Sequence, residues 1–323
     1  MKQFLSFRSH SQLLLSALFA LVMMAGFTAC SDTNDDNGGT AGNNGNVNAN
    51  DTSKEPALSR MEFPKVKGGH SLVLIHTTND SWGINYSVEW DCDKKAQRWS
   101  CYQLDSKTLV NAAQRYSSKT NQYPKDPLLP TNQYLTQDCF YDSGFDHGHI
   151  CPSADRLYSS DANYQTFFLT NMQPQYKAFN GSLSGGEAYK NSWSPWYQLE
   201  SQVRTWAGEA KSEELYVVKG GTIEDDQILL KNNQPWLLKG EMRIPKYFFV
   251  ALLQKNASGY KAIGFWMEHV GSYSAKVSLA DCAVNIRTLE QKTGIDFFCN
   301  LPDETENKVE TLAIENVKRA WGL

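Results

Sequence analysis

The segments INYSVEW (84–90) and RWSCYQL (98–104) alternate polar with apolar residues on either side of the turn sequence DCDKKAQ (91–97). A period of two puts one side of each segment on a core, and so short a link joins only antiparallel neighbours. Cys92 and Cys101 are expected near the loop end of this hairpin. SLVLIHTT (71–78), ELYVVKGG (214–221), YFFVALLQ (247–254) and GYKAIGFWM (259–267) add strand candidates rich in β-branched and aromatic residues. Helical signals stand apart from them. Ser194 caps a helix that begins at Pro195 and carries Trp196, Leu199, Val203 and Trp206 on one stripe. A second helix is expected from Leu279 to Lys292, with Ser278 and Asp281 as a capping box and Gly294 as its stop. An amphipathic stretch from Glu306 to Trp321 closes the chain. Strands and helices do not alternate regularly, so the fold class is α+β, a mixed, mainly antiparallel sheet with packed helices.

The N-terminus lies outside this pattern. Lys2 and Arg8 precede an apolar run over residues 13–25, which is too short to span a bilayer comfortably. Ala29 and Cys30 come next, and residues 31–56 hold almost no apolar side chain. The arrangement resembles a bacterial lipoprotein signal: a peptide of residues 1–29 removed before Cys30, lipid on the Cys30 sulfur, and a disordered polar tether over 30–56. The folded domain is then residues 57–323. The resemblance implies export, as an outer-membrane lipoprotein facing periplasm or cell surface, or else secretion. Membrane contact would run through lipidated Cys30 alone, with no transmembrane helix in the mature chain. A formal charge of -4 argues against a protein that coats nucleic acid by charge alone, while leaving room for a local basic groove. Cys92, Cys101, Cys139, Cys151, Cys282 and Cys299 remain, an even number that favours disulfides in an exported chain. Neighbours in sequence suggest Cys92 with Cys101, Cys139 with Cys151, and Cys282 with Cys299.

The stretch FDHGHICPSADR (145–156) carries the chemistry. On a strand, His147, His149 and Cys151 would share one side, which is a respectable zinc-ligand set and the basis of one reading, a zinc-dependent hydrolase. The segments downstream of it favour a different reaction. Asp146-His147-Gly148-His149 is succeeded by TNMQPQ (170–175), by Asn180, and by WYQLESQVR (196–204). In that order these segments resemble the DNA/RNA non-specific endonucleases, the ββα-metal nucleases that include mitochondrial endonuclease G. The likeness covers roughly residues 65–300.

The resemblance implies a ββα-metal active-site motif and a phosphodiester hydrolase acting on DNA and RNA with little sequence preference. It assigns His149 as general base, Asn180 as the direct ligand of Mg²⁺ (or Mn²⁺ in its place), and Glu200 as a holder of metal-bound water. Arg204 would grip phosphate, and Asn171 would lie in the cleft. These roles suit the reaction: a neutral imidazole accepts a proton near neutral pH, and Mg²⁺ keeps most of its waters. Three features depart from the family pattern. His147 stands where the family keeps arginine, so either transition-state stabilisation is weaker here or Arg156 or Lys177 supplies the missing charge. Arg115 is the nearest arginine before Asp126-Pro127, yet lies far upstream of it. Residues 181–194 read as a Gly- and Ser-rich insertion, a flexible flap over the groove. A catalytically silent nuclease fold serving as a surface binding protein is the reading from a different class.

Overall fold

The computed structural model describes residues 45–181, 193–209, 214–257 and 259–323. The strands that matter here are β1 (Ser71–Thr77), β2 (Ile84–Asp91), β3 (Ala96–Leu104), β4 (Phe145–His149), β5 (Met172–Tyr176), β6 (Leu215–Gly221), β7 (Tyr247–Asn256), β8 (Gly259–Glu268) and β9 (Ala283–Val284). Seven of them make one sheet in the order β1-β2-β3-β6-β7-β8-β9, and every neighbouring pair is antiparallel. β4 and β5 pair separately as a hairpin. The helices are α1 (Ser160–Gln165), α2 (Lys177–Asn180), α3 (Pro195–Glu209), α4 (Leu279–Cys282), α5 (Ile286–Thr293), α6 (Asp303–Glu310) and α7 (Ile314–Trp321). Among the described residues no helix is long and apolar enough to cross a membrane.

Both sides of the sheet are covered, which is why β6 is buried along its whole length instead of alternating. One side joins Tyr86, Val88, Tyr102, Val217, Phe248 and Val250 to Trp196, Leu199, Val203 and Trp206 of α3. The other joins Trp99, Val218, Phe249 and Leu253 to Ile286 and Leu289 of α5 and Val309 of α6. A third cluster around Phe145, Phe167 and Met172 underlies the hairpin. The start of α3 forms as the sequence predicts: Ser194 Oγ accepts from Tyr197 N at 3.2 Å, and Pro195 is its first residue.

The predicted helix over 279–292 is broken. Ala283 and Val284 leave it to pair with Phe265 and Gly264 as an edge strand. Asn285 then caps α5 by accepting from Thr288 N at 2.9 Å, whereas the Ser278 side chain makes no capping bond. Gly294 ends α5 as expected, with φ +65. The closing amphipathic stretch is likewise two helices, α6 and α7.

Within the segment expected to be a tether, residues 45–50 lie against the domain because their asparagines find fixed partners. Asn46 Nδ2 donates to Leu301 O at 2.6 Å, and Asn50 Nδ2 donates to Pro64 O at 3.0 Å while Asn50 Oδ1 accepts from Val66 N at 3.0 Å. The predicted disulfides are corrected too: all six cysteines of the folded part are free thiols. Cys101 pairs across the hairpin with Ser87, not with a residue near Cys92. Cys139 lies in the cluster under the hairpin while Cys151 lies against α3. Cys282 packs on the α3 side of the sheet, whereas Cys299 Sγ meets the carbonyl of Phe63, which belongs to the other side. Burial pushes the Cys151 thiol up to about 12 and that of Cys299 to about 12, which keeps both protonated.

Candidate active site

β4 and β5, linked by a long connection that carries α1, pair in register from Phe145↔Tyr176 to His149↔Met172, and β5 runs directly into the one-turn helix α2. The hairpin is locked to the large sheet by buried amides. Gln173 Oε1 accepts from Gly221 N at 2.6 Å, and its Nε2 reaches Gln97 O and Gly221 O at 3.3 Å. At the far end Asn171 ties β5 to the segment that follows β4: Oδ1 accepts from Cys151 N at 2.8 Å, and Nδ2 donates to Cys151 O at 2.9 Å and Thr166 O at 2.8 Å. Asn171 is wholly buried, so it is a clamp on the hairpin and not, as the sequence suggested, a residue of the open cleft. Gly148 is required for a related reason. A Cβ there would stand 2.4 Å from Gln175 Cδ, so the glycine makes room for a buried side chain.

His149 ends β4. Its Nδ1 lies 3.2 Å from the His147 carbonyl oxygen, and since that oxygen only accepts, Nδ1 carries the proton and Nε2 the lone pair. Nε2 is buried and has no hydrogen-bond partner. The ring stands edge-on to Phe167 at 4.9 Å. Burial, and after it the Arg115 guanidinium, pull the imidazole down to about 3, so it is neutral at physiological pH. Arg115 reaches this spot by stacking over the Phe167 ring at 4.9 Å. No local signal in the sequence marks Arg115, because the segment that delivers it is irregular.

Asn180 sits at the end of α2, where Gly181 adopts φ +82 and closes the helix with its N–H on Lys177 O. A side chain at Gly181 would also meet Tyr197 Cβ at 2.6 Å, so this glycine fixes both the turn and the approach of α3. Asn180 Nδ2 donates to Asp146 Oδ2 at 3.0 Å, which orients the amide and leaves Oδ1 as its donor atom for a metal. α3 brings Glu200 and Arg204 one turn apart on one side. Lys219, almost fully buried and 4.2 Å over the Trp196 ring, donates to Glu200 Oε1 at 2.9 Å. The lysine in the otherwise apolar ELYVVKGG strand was the sequence signal for this contact. Arg204 Nη1 is held by Asp155 Oδ1 at 2.9 Å, and Tyr102 donates to the other oxygen of Asp155 at 3.0 Å. One amide oxygen and one carboxylate, both hard oxygen donors, fit a cation that retains most of its water.

The remaining sequence candidates separate. Arg156 is buried, stacks 4.5 Å over Tyr102 and donates to Gln103 O at 3.1 Å, so it is structural and does not replace the missing arginine at the phosphate. Lys177 is exposed at the start of α2. His147 is held in a slot, stacked 3.5 Å from Tyr123 and 4.1 Å from Phe140, with Nε2 3.1 Å from Asp138. His147, His149 and Cys151 do not converge as a zinc set. The group of three whose ligand atoms do approach one another, among the described residues, is Glu290, Asp296 and Glu310. Cys151 instead points into the core against α3. Residues 182–192 of the expected flap, and Cys30, lie outside the described residues.

Comparison with known proteins gives a consistent picture. The sequence profile described as DNA/RNA non-specific endonuclease matches residues 76–304. The chain is similar to a nuclease of Nostoc sp., 27% identical over 241 residues that make up 70% of this chain and 75% of the relative. It is also similar to the mitochondrial nuclease EXOG of Xenopus laevis, 25% identical, with 68% of this chain covered but only 58% of that protein's length. In fold it resembles a chain from the crystal structure of the EndoG/EndoGI complex, with a TM-score of 0.54, 19% identity, and coverage of 72% of this chain and 89% of that one.

Proposed function

The chain belongs to the DNA/RNA non-specific endonuclease family, and we propose that it is an exported, Mg²⁺-dependent endonuclease that hydrolyses DNA and RNA phosphodiesters with His149 as general base. The observation that carries this reading is the His149 ring itself: Nδ1 committed to the His147 carbonyl, Nε2 unpartnered. A water between that nitrogen and a phosphorus can lose its proton to Nε2 as it attacks, while the P–O bond to the 3′ oxygen breaks and that oxygen takes a proton from water. Burial is the main cause of the ring's low proton affinity and the Arg115 field the next; a bound phosphate offsets the Arg115 part and raises the basicity of Nε2 to that extent. Arg115, and the N–H groups of Arg204 not spent on Asp155, stabilise the charge that builds on the phosphoryl oxygens. Lys219 holds Glu200 in place, so that its second carboxylate oxygen can fix water near Asn180 Oδ1. A divalent cation bound at Asn180 and, through water, at Glu200 would add Lewis-acid polarisation of the phosphate. All of these groups address the phosphate, which carries no base identity, and this supports action on both nucleic acids. Lipid on Cys30 and an outer-membrane location belong to the same proposal.

Digestion of supercoiled plasmid and of RNA in Mg²⁺, in EDTA, and by His149→Ala tests it. Cleavage of both substrates is expected in Mg²⁺ only, with His149→Ala slower by about 10²–10⁴-fold. Intact plasmid and RNA across several divalent metals would instead support the silent binding protein.

A further inference from the structure

On the side of the sheet opposite α3, four carboxylates gather where α5 and α6 meet the N-terminal segment 45–50: Glu290, Asp296, Glu306 and Glu310. Oxygens of Glu290, Asp296 and Glu310 lie within 4.8 Å of one another. Positive charge is scarce there. Arg287, half-exposed, pairs with Glu290 at 3.0 Å and Glu310 Oε2 at 2.9 Å. Lys65 spends its ammonium on the Ala49 carbonyl at 2.6 Å. Asn48 donates through Nδ2 to Asp296 Oδ2 at 3.1 Å and Glu306 Oε1 at 3.0 Å.

Two oxygens are left over. Glu310 is 1% exposed and its Oε1 has no hydrogen-bond partner; Asn48 Oδ1 is a buried atom in the same condition. Both are acceptors, so neither can satisfy the other, and a buried acceptor left unmade is costly. A proton or a cation beside Glu310 Oε1 would satisfy it.

We propose that Glu290, Asp296, Glu310 and the amide oxygen of Asn48 bind Ca²⁺ at a site separate from the catalytic centre, and that this ion pins the segment 45–50 to α5 and α6. Ca²⁺ accepts oxygens at about 2.3–2.6 Å in flexible geometry, so opposed ligands stand about 5 Å apart, the spread found here. Mg²⁺ demands a tighter octahedron and keeps its waters, which suits Asn180 better than this carboxylate-rich cage. The ion would couple distant parts of the chain, as the Asn48–Glu306 bond (separation 258) already does.

Thermal melts of the metal-stripped full chain at neutral pH, with CaCl₂ or EDTA, test this on wild type, Asn180→Ala, Glu310→Gln and Asn48→Ala. Ca²⁺ at about 100-fold over its dissociation constant should raise Tm by about 5 °C or more in wild type and in Asn180→Ala. Glu310→Gln should lose that shift, bind no Ca²⁺ by elemental analysis, and still cleave plasmid in Mg²⁺. Asn48→Ala changes a side chain at the surface end of the cluster and should weaken Ca²⁺ about tenfold without unfolding the chain, which guards against misfolding of the buried variant. A shift lost only in Asn180→Ala would place the ion at the catalytic centre. No Ca²⁺ effect anywhere, with Tm rising on mild acidification, would mean that Glu290, Asp296, Glu306 and Glu310 share protons beside Arg287, Lys65 and Asp303. Either result overturns the proposal.

Discussion

His147 separates this chain from its family pattern, and its surroundings explain how a histidine can stand there. Tyr123 and Phe140 clasp the ring as they would a flat guanidinium, and Asp138 faces Nε2. Burial pushes the Asp138 carboxyl up, but its hydrogen bond and charge interaction with His147 outweigh this and hold it below the usual carboxylate range. The carboxylate is therefore in place to accept a hydrogen bond from the ring. An arginine in the same slot keeps its charge at every pH of interest, which a histidine side chain in general does not. In a pH–rate series the ratio of His147→Arg to wild-type kcat/KM is expected to climb with pH, by about tenfold between the neutral and alkaline ends, the worth of one charge-assisted contact of about 1.4 kcal/mol. Superimposable profiles would remove His147 from the reaction. The residue scale is also where sequence reasoning erred most. Asn171 and Arg156 have the chemistry of a site, but burial and bonds to backbone carbonyls give them structural work, and no spacing rule distinguishes the two.

At the scale of elements, the hairpin β4–β5 holds its register because Gly148 leaves room for Gln175. The Gln175 amide is buried with neither polar atom partnered, so its contribution is shape, not hydrogen bonding. Gly148→Ala would set a methyl 2.4 Å from Gln175 Cδ. Overpacking of that kind costs about 1–3 kcal/mol, and because His149 is the next residue, kcat should fall with stability. Urea denaturation should place the midpoint of Gly148→Ala below wild type, and Gly148→Ala with Gln175→Ala should recover most of the loss. Failure of that rescue would mean that the glycine serves backbone conformation or substrate access instead. Strands with strong alternation and the Ser194-Pro195 helix start were legible because their signals are local. The break at Ala283-Val284 was not, since a two-residue edge strand exists only because Phe265 and Gly264 offer it an unpaired edge.

Across the whole molecule, the order of motifs identified the site, and the long-range geometry stayed hidden. Arg115 joins His149 through Phe167, and residues 45–50 return to the C-terminal helices, contacts that pattern and spacing do not encode. The cysteines make the same point. Pairing by sequence proximity fails because an antiparallel sheet with two covered sides sends neighbours in sequence to different cores. Six buried or half-buried thiols act instead as small apolar side chains, with burial raising Cys139 and Cys282 to about 11. A thiol titration checks this on protein purified without reductant. In denaturant, Cys92, Cys101, Cys139, Cys151, Cys282 and Cys299 should all react, in addition to Cys30 wherever that residue is unmodified. In the native state reaction should be slow and begin at Cys92, which is only partly buried and whose pKa is raised by burial but less strongly than those of the core thiols. If these six yield only two or four thiols in denaturant, disulfides form during export, and the packing around at least one pair must differ from the arrangement described, because the two members of each suggested pair lie in different parts of the core.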